Sequence, residues 1–267
     1  NIPRKDKDIK KAFVTYPGYS IVQFDYSQAE FRMWAQLSND QDMIQDLRAG
    51  LDIHKRTAAE FWGIPEDKVS DEQRSQAKFV VFGLMYGRGA KSVAKQVGIT
   101  SEEAQQIIKN FFAKYPIAAR WLEATKQFAK TRKYVINHFG RVRRLPNIMS
   151  NIQEEVAEAI RQAVNAPIQG GAADITGIGL IRIHKEIVNR NLKARLILTV
   201  HDSIILECPD EEIIEVVKLG HKCMTDQITG INVPLEAEVE VGKNWAEVKK
   251  WKLDKLEEQY KEYVGVK

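Results

Sequence analysis

Cysteine is scarce in this sequence. Only Cys208 and Cys223 occur among 267 residues. They lack metal-ligand spacing and read as reduced thiols of an intracellular protein, not as a disulfide framework. No run of about 18 apolar residues occurs, so nothing reads as a membrane span. Walker loops, GxSxG elbows and CxxC pairs are missing too, which removes their chemistries from consideration. Internal repeats and low-complexity tracts are absent, so a repeat array is excluded. The first residues, Asn1-Ile2-Pro3-Arg4-Lys5, carry neither an initiator Met nor an apolar signal core. A fragment or a processed chain is therefore expected.

What is present is ordinary for a globular protein. Hydrophobic residues make up 44% and charged residues 28%, enough for one large or two modest domains with a real core. The net charge of +4 and pI near 8.9 permit a polyanionic partner without requiring one.

Two stretches end in carboxylates. Ile21–Phe24 reads as a buried strand that stops at Asp25. Ser27 and Glu30 then have the S-x-x-E spacing of a helix start, with a helix expected to about Leu37. Far along the chain, Leu196–Val200 and Ile204–Leu206 read as strands around a His201-Asp202-Ser203 turn. Two strand-end aspartates have the chemistry to share a pair of divalent cations, as phosphoryl transfer requires. Taken alone, each piece reads more readily as a capped helix or a polar hairpin turn. His201-Asp202-Ser203 is not a nucleophilic triad, because three adjacent turn residues cannot align as nucleophile, base and orienter.

Between them lie helices with clear punctuation. Asp52-Ile53-His54 begins one that runs to about Trp62 and stops at Gly63. Ser70 with Gln73 opens the next, in which Arg74, Lys78, Phe82 and Tyr86 recur every fourth residue. Four residues advance a helix by about 400°, so these side chains form one drifting stripe of two cations and two aromatics. Such a stripe suits a triphosphate and a base, although taken alone it is more commonly an amphipathic helix with core aromatics. Gly83 costs a helix interior about 1 kcal/mol relative to Ala, so something large is expected against its backbone. Thr100 and Glu103 cap a further helix to Tyr115; Pro116 breaks it before a helix from Ile117 to about Arg132. Arg141, Arg143 and Arg144 crowd a loop, as solvated charge or as phosphate contacts. Asn151 to Val164 reads as a helix ending before Pro167, with a second from Gly170 to about Asn189. Arg161 and Asn165 share a face, and with Gln169 they have the groups that reach minor-groove acceptors or cap helices. Leu235–Val241 alternates as a strand with one wet face, and Lys249–Tyr263 reads as a charged surface helix.

Taken together, these segments resemble the polymerase domain of the bacterial DNA polymerase I family, family A. Asp25-Tyr-Ser-Gln-Ala-Glu30-Phe-Arg32 resembles its first catalytic motif. Arg74-x-x-x-Lys78-x-x-x-Phe82-Gly83-x-x-Tyr86-Gly87 resembles its nucleotide-binding helix. Arg161-x-x-x-Asn165-x-Pro167-Ile168-Gln169-Gly170 resembles its template-primer motif, and Val200-His201-Asp202 its last catalytic motif. The four occur in the family's order, and the resemblance runs from Asn1 to about Trp245.

The resemblance implies an α+β fold: an antiparallel palm sheet with flanking helices, interrupted by all-helical fingers. Palm is expected at 1–40 and 150–267, the latter with a C-terminal helical tail, and fingers at 41–149. It implies template-directed, two-metal transfer of dNTPs to a primer 3′ end. Asp25 and Asp202 are the implied catalytic and metal-binding residues for two Mg²⁺ ions, with Mn²⁺ as a substitute. Arg74, Lys78, Phe82, Tyr86, Glu30, His54 and Gln28 are the implied nucleotide-binding residues. Phe82 stacks on the nucleotide, Tyr86 lies at the templating-base pocket, and Glu30 excludes a 2′-hydroxyl. Arg161, Asn165, Gln169 and His201 are implied to hold primer-template DNA. A cytoplasmic setting is implied, nucleoid-associated or in a phage-infected cell, with no membrane partner and with an upstream thumb and exonuclease region in the parent protein.

The sequence also departs from the pattern. Ser203 stands where the family has Glu, so a third acidic contact is in doubt, while Ala29 and Phe31 replace bulkier aliphatics. Two other readings stay open. A single-subunit RNA polymerase shares the Asp/Lys/Asp logic, though it has no use for a carboxylate under the 2′ position. A noncatalytic template-primer-binding fragment would keep the sheet without extending a primer.

Overall fold

The computed structural model describes residues 7–265. The N-terminal stretch Asn1–Lys5 discussed above lies outside the described residues.

A short helix α1 (Lys7–Lys11) precedes strand β1 (Tyr19–Tyr26). Helices α2 (Ala29–Ser38), α3 (Gln41–Arg48), α4 (Ile53–Trp62) and α5 (Asp71–Met85) follow. Then come α6 (Ala90–Val97), α7 (Ser101–Lys114) and α8 (Pro116–Arg132). A ribbon of β2 (Tyr134–Ile136) and β3 (Val142–Arg144) leads to the long helix α9 (Gln153–Asn189). The order closes with β4 (Arg195–Val200), β5 (Ser203–Pro209), α10 (Ile213–Thr225), β6 (Ala237–Gly242), β7 (Lys249–Trp251) and α11 (Leu256–Val264). The expected α+β class is borne out. To the helical stretch 41–149 the structure adds the β2–β3 ribbon, where Gly140 at φ +85 turns the chain back on itself.

The chain divides into two compact units. Of the described residues, one comprises 7–29, 173–229 and 235–265; the other comprises Glu30–Ala172 and Gly230–Pro234.

The first unit is built on β1. Its sheet runs β4-β5-β1-β6-β7, and every pairing is antiparallel. Successive side chains on a strand point to opposite faces. Val22, Phe24 and Tyr26 are therefore buried on one side, with Phe24 against Gly220 of α10 and the Tyr26 hydroxyl donating to the Met224 carbonyl at 2.8 Å. Ile21, Gln23 and Asp25 occupy the other. There Ile21 packs with Ile205 and Trp245, and the Trp245 indole N–H donates to Gln23 at 2.7 Å.

The second unit is mainly helical, and one buried carboxylate starts two of its helices. Asp40 is fully buried. Its Oδ1 accepts the Asp42 and Met43 N–H groups at the start of α3, and its Oδ2 those of Ile117 and Ala118 at the start of α8, at 2.9–3.3 Å. This satisfies four donors that a helix end otherwise leaves bare. Around it Phe31, Trp34, Phe111, Phe112 and Tyr115 form edge and stacked contacts at 5.0–6.4 Å. Phe31, one of the departures noted in the sequence, thus anchors an aromatic cluster. The capping boxes at Ser70/Gln73 and Thr100/Glu103 both form.

Three expectations need correction. The helices placed on either side of Pro167 are one, α9, with Pro167 inside it. Proline in a helix costs about 3 kcal/mol through a lost hydrogen bond and a clash. Here Ala159 and Ala163 pack with Ala129, Val135, Leu145 and Ile148, while Val164 and Ile168 are fully buried, so tertiary packing holds the turn. Pro116 does not only end α7; it is the first residue of α8, where its missing N–H costs nothing. Lys249–Tyr263 is not one helix. Lys249–Trp251 pairs with β6 as an edge strand, Trp251 is buried edge-on against Tyr263, and the helix begins at Leu256. An otherwise open sheet edge outweighs local helix propensity.

Gly220 is required by close approach. A Cβ built there would overlap the Phe24 ring. Gly220→Ala is expected to destabilise the protein by about 1–3 kcal/mol through overpacking, read as a lower urea midpoint. Phe24→Leu in the same background should restore part of the loss. An unchanged midpoint in the single variant would contradict this packing.

Candidate active site

A pair of strand-end carboxylates lies in the first unit. β1 and β5 pair so that Asp25 stands opposite Ser203. β4 and β5 close their hairpin with Val200 opposite Ser203, leaving His201 and Asp202 as the two turn residues. His201 takes φ +55, the left-handed geometry a two-residue turn asks for. The Tyr26 N–H donates to the Asp202 carbonyl at 3.3 Å, so the hairpin turn is tied to the end of β1. The two aspartates are thereby brought to the same end of the sheet, and both are half-buried. Ser203 occupies the ladder between them, and its hydroxyl donates to the Asp25 carboxylate.

The cation and aromatic stripe lies in the second unit. Arg74, Lys78, Phe82 and Tyr86 are all half-buried along α5 and its C-cap. The Lys78 ammonium lies 5.6 Å from the Phe82 ring centre, and Tyr86 is tilted against Phe82 at 5.8 Å. His54 of α4 stacks on Phe82 at 5.9 Å. Burial pulls the His54 imidazole down to about 4, and neighbouring Lys78 and Arg74 act in the same direction, against Asp52. His54 is therefore neutral at pH 7. Its Nδ1 is buried with no hydrogen-bond partner among the described residues.

Glu30 is drawn to this stripe. The Tyr86 hydroxyl donates to Glu30 Oε2 at 2.5 Å, and the Gln169 amide lies 3.4 Å from Oε1 and 3.3 Å from the Tyr86 hydroxyl. Burial, then the Glu30 carboxylate, push the Tyr86 phenol well above its ordinary range, so it stays a donor. The helix expected from about Glu30 forms as α2, but the Ser27 N–H does not go to a capping box. Gln28 sits at φ +54, α2 begins at Ala29, and the Ser27 N–H donates to the Glu236 carbonyl at 2.8 Å. Strand geometry extending past β1 takes the donor that a capping box would have used.

The remaining predicted residues are placed as follows. Arg161 and Asn165 lie one turn apart on α9. Arg161 is paired with Glu158 at 2.5–3.0 Å, while Asn165 Oδ1 is buried with no partner among the described residues, as is Gln28 Oε1. Gly83 is explained by the protein itself, because a Cβ there would come 3.1 Å from Val93 of α6.

Sequence reading passed over three contributors. Glu238 of β6 stands opposite Asp25, and Glu240 opposite Gln23, whose amide donates to it at 3.0 Å. Burial and then the Asp25 charge raise the Glu240 pKa. The signal was the wet face of the alternating β6 strand, whose register against β1 could not be read locally. The third is Asp52, which caps α4 and also holds Arg74 at 2.6 Å.

The sequence model of DNA polymerase family A matches residues 1–247. The chain belongs to DNA polymerase family A. It is 38% identical over 251 residues to DNA polymerase I of Chloroflexus aurantiacus, covering 93% of this chain and 26% of that protein. It is 39% identical over 250 residues to the Pseudomonas aeruginosa DNA polymerase I, covering 92% and 27%. Against the thermostable DNA polymerase I of Thermus aquaticus it is 35% identical over 241 residues, covering 90% and 29%. The chain thus spans under a third of the length of these relatives. Among solved structures, the POL domain of Pol1 from M. smegmatis, in complex with DNA primer-template and dNTP, superposes with a TM-score of 0.85 at 34% identity. That match covers 92% of this chain and 44% of the other. The family A match stops short of β7 and α11, so the added edge strand and its helix lie beyond it.

In this family A chain the buried His54 makes stability depend on pH. Its folded pKa lies below its unfolded value, so its contribution is complete above pH 6.5 and is lost as pH falls toward 4. The loss is on the order of 3 kcal/mol. His54→Gln should flatten that part of the profile when urea unfolding is followed from pH 7 to 4. An identical slope in both proteins would show that His54 is not buried neutral.

Proposed function

We propose that this chain carries the polymerising core of a template-directed DNA polymerase, joining dNTPs to a primer 3′ end. In this reading residues 1–40 and 150–267 are palm, and 41–149 are fingers. The observation that carries it is the meeting of Asp25 and the Asp202 turn at the end of β1, in a chain of family A. The donors there are hard oxygens: two carboxylates and the Ser203 hydroxyl. Mg²⁺ suits them, since it takes one or two carboxylates and completes its shell with water and substrate phosphate.

Asp25 and Asp202 would hold two Mg²⁺ ions, for which Mn²⁺ could substitute. When bound, the ions lower the pKa of the primer hydroxyl and steady the leaving oxygen. Ser203 orients the Asp25 carboxylate through its hydrogen bond. Arg74 and Lys78 neutralise the triphosphate, and the buried, neutral His54 donates to it. Phe82 packs on the nucleotide, Gln28 also contacts it, and Tyr86 borders the templating base. Arg161, Asn165, Gln169 and His201 hold primer-template DNA, and an intracellular setting follows from those partners. Glu30 is the sugar gate. Its carboxylate is held by Tyr86, so it cannot swing away, and a ribose 2′-hydroxyl would crowd it and leave polar groups unpaired.

Two measurements test the reading. Asp25→Asn or Asp202→Asn should cut single-turnover primer extension by about 10³-fold or more, because several kcal/mol of transition-state stabilisation is lost. Ser203→Ala should cost far less. Near-normal extension by either aspartate variant in Mg²⁺ would remove that residue from the mechanism. For Glu30→Ala, ribonucleotide incorporation should rise while dNTP use is partly retained. If only the melting temperature changes, Glu30 is a structural residue and not a gate.

A further inference from the structure

Asp52 uses both oxygens of its carboxylate. Oδ1 accepts the His54 and Lys55 N–H groups at 3.0 and 3.1 Å and so starts α4. Oδ2 accepts the Arg74 Nε–H at 2.6 Å. One side chain therefore ties the beginning of α4 to the first turns of α5. His54, two residues on, meets α5 again by stacking on Phe82. Both partners of the Asp52–Arg74 pair keep close to a third or more of their side chains in solvent, at 32% and 40%. An ion pair so exposed adds little to stability, so its consequence is geometric.

A guanidinium is planar, with five donors in a fixed fork. Fixing it at Nε sets the plane and leaves the Nη1 and Nη2 edge directed away from Asp52. Two neighbouring donors on that edge match two oxygens of one phosphate. We infer that Asp52 is a positioning residue for the polyphosphate of the incoming nucleotide. It aims the Nη edge of Arg74 and keeps His54 in the same frame. The inference rests on the triphosphate role proposed for Arg74. Asp52 does not repel the phosphate as a bare carboxylate would, because one oxygen is taken by helix N–H groups and the other by the arginine itself.

The test is calorimetric binding of inorganic tripolyphosphate to the full 267-residue chain, in parallel with dNTP KM and kcat in primer extension. Asp52→Asn keeps an amide oxygen for the helix cap and loses the charge on Arg74; Asn and Asp are equally good caps. Asp52→Ser is the second variant, also a good cap but too short to reach Arg74. Both should bind tripolyphosphate about three- to tenfold more weakly, the cost of ordering one freed arginine. KM for dNTP should rise by a similar factor with kcat little changed, and the melting temperature should hold. In an Arg74→Ala background the Asp52→Asn effect should vanish, whereas with Lys78→Ala the two effects should add. If Arg74→Ala weakens binding but Asp52→Asn leaves it unchanged or tightens it, Asp52 is only a cap or a competitor of phosphate, and the inference is wrong. If Arg74→Ala itself changes nothing, the triphosphate role of Arg74 fails and takes the inference with it.

Discussion

The register of β1 between β5 and β6 is the constraint on which the acidic centre depends. Side chains alternate strictly along a strand, so a one-residue slip would exchange the faces. Phe24 would then turn toward Trp245, and Asp25 would be driven against α10. The slip is opposed on both sides. Gly220 lets α10 press on the Phe24 ring, and Trp245 grips Gln23 while Gln23 grips Glu240. The β4–β5 hairpin then has only to meet the end of β1. It does so through the Tyr26–Asp202 backbone hydrogen bond and the Ser203–Asp25 side-chain bond. Two carboxylates more than 170 residues apart in sequence become neighbours through backbone pairing.

The helical unit solves a different problem by a recurring device. Among the described residues its sheet is only the short β2–β3 ribbon, so buried or half-buried carboxylates tie its helices to one another. Asp40 joins the starts of α3 and α8. Asp52 joins the start of α4 to Arg74 of α5. Asp46 gathers Arg56, Lys114 and Tyr115 at 2.7–3.3 Å. Each bond is charge-assisted and has a defined direction. The stripe Arg74–Tyr86 is thus oriented by groups that make no part of the stripe itself.

What could be read from sequence was what local rules decide. The Asp25 strand end, the Ser70 and Thr100 capping boxes and the Gly63 stop are short-range signals, and each appears in the fold. The misread places are those where distant contacts outweigh local ones. Ser27 and Glu30 have capping-box spacing, yet the Ser27 N–H is taken by Glu236, far along the chain. Pro167 should end a helix and does not, because buried residues on both sides of it hold the turn. Lys249–Trp251 has helical composition and becomes a strand because β6 presents an open edge. Glu238 could not be assigned to Asp25 until the β1–β6 register was known. Asp52 was visible as a helix start, but its second oxygen on Arg74 is a tertiary contact.

Central to the proposed function is that strand pairing builds a two-ion site from Asp25 and Asp202. The most direct measurement counts Mn²⁺ bound per chain by electron paramagnetic resonance, with primer-template and a non-reactive dNTP analogue present. Two ions per chain are predicted for the native sequence, with loss of tight binding in Asp25→Asn while circular dichroism and the melting curve stay native. Equal Mn²⁺ binding by the folded Asp25→Asn variant would contradict the account.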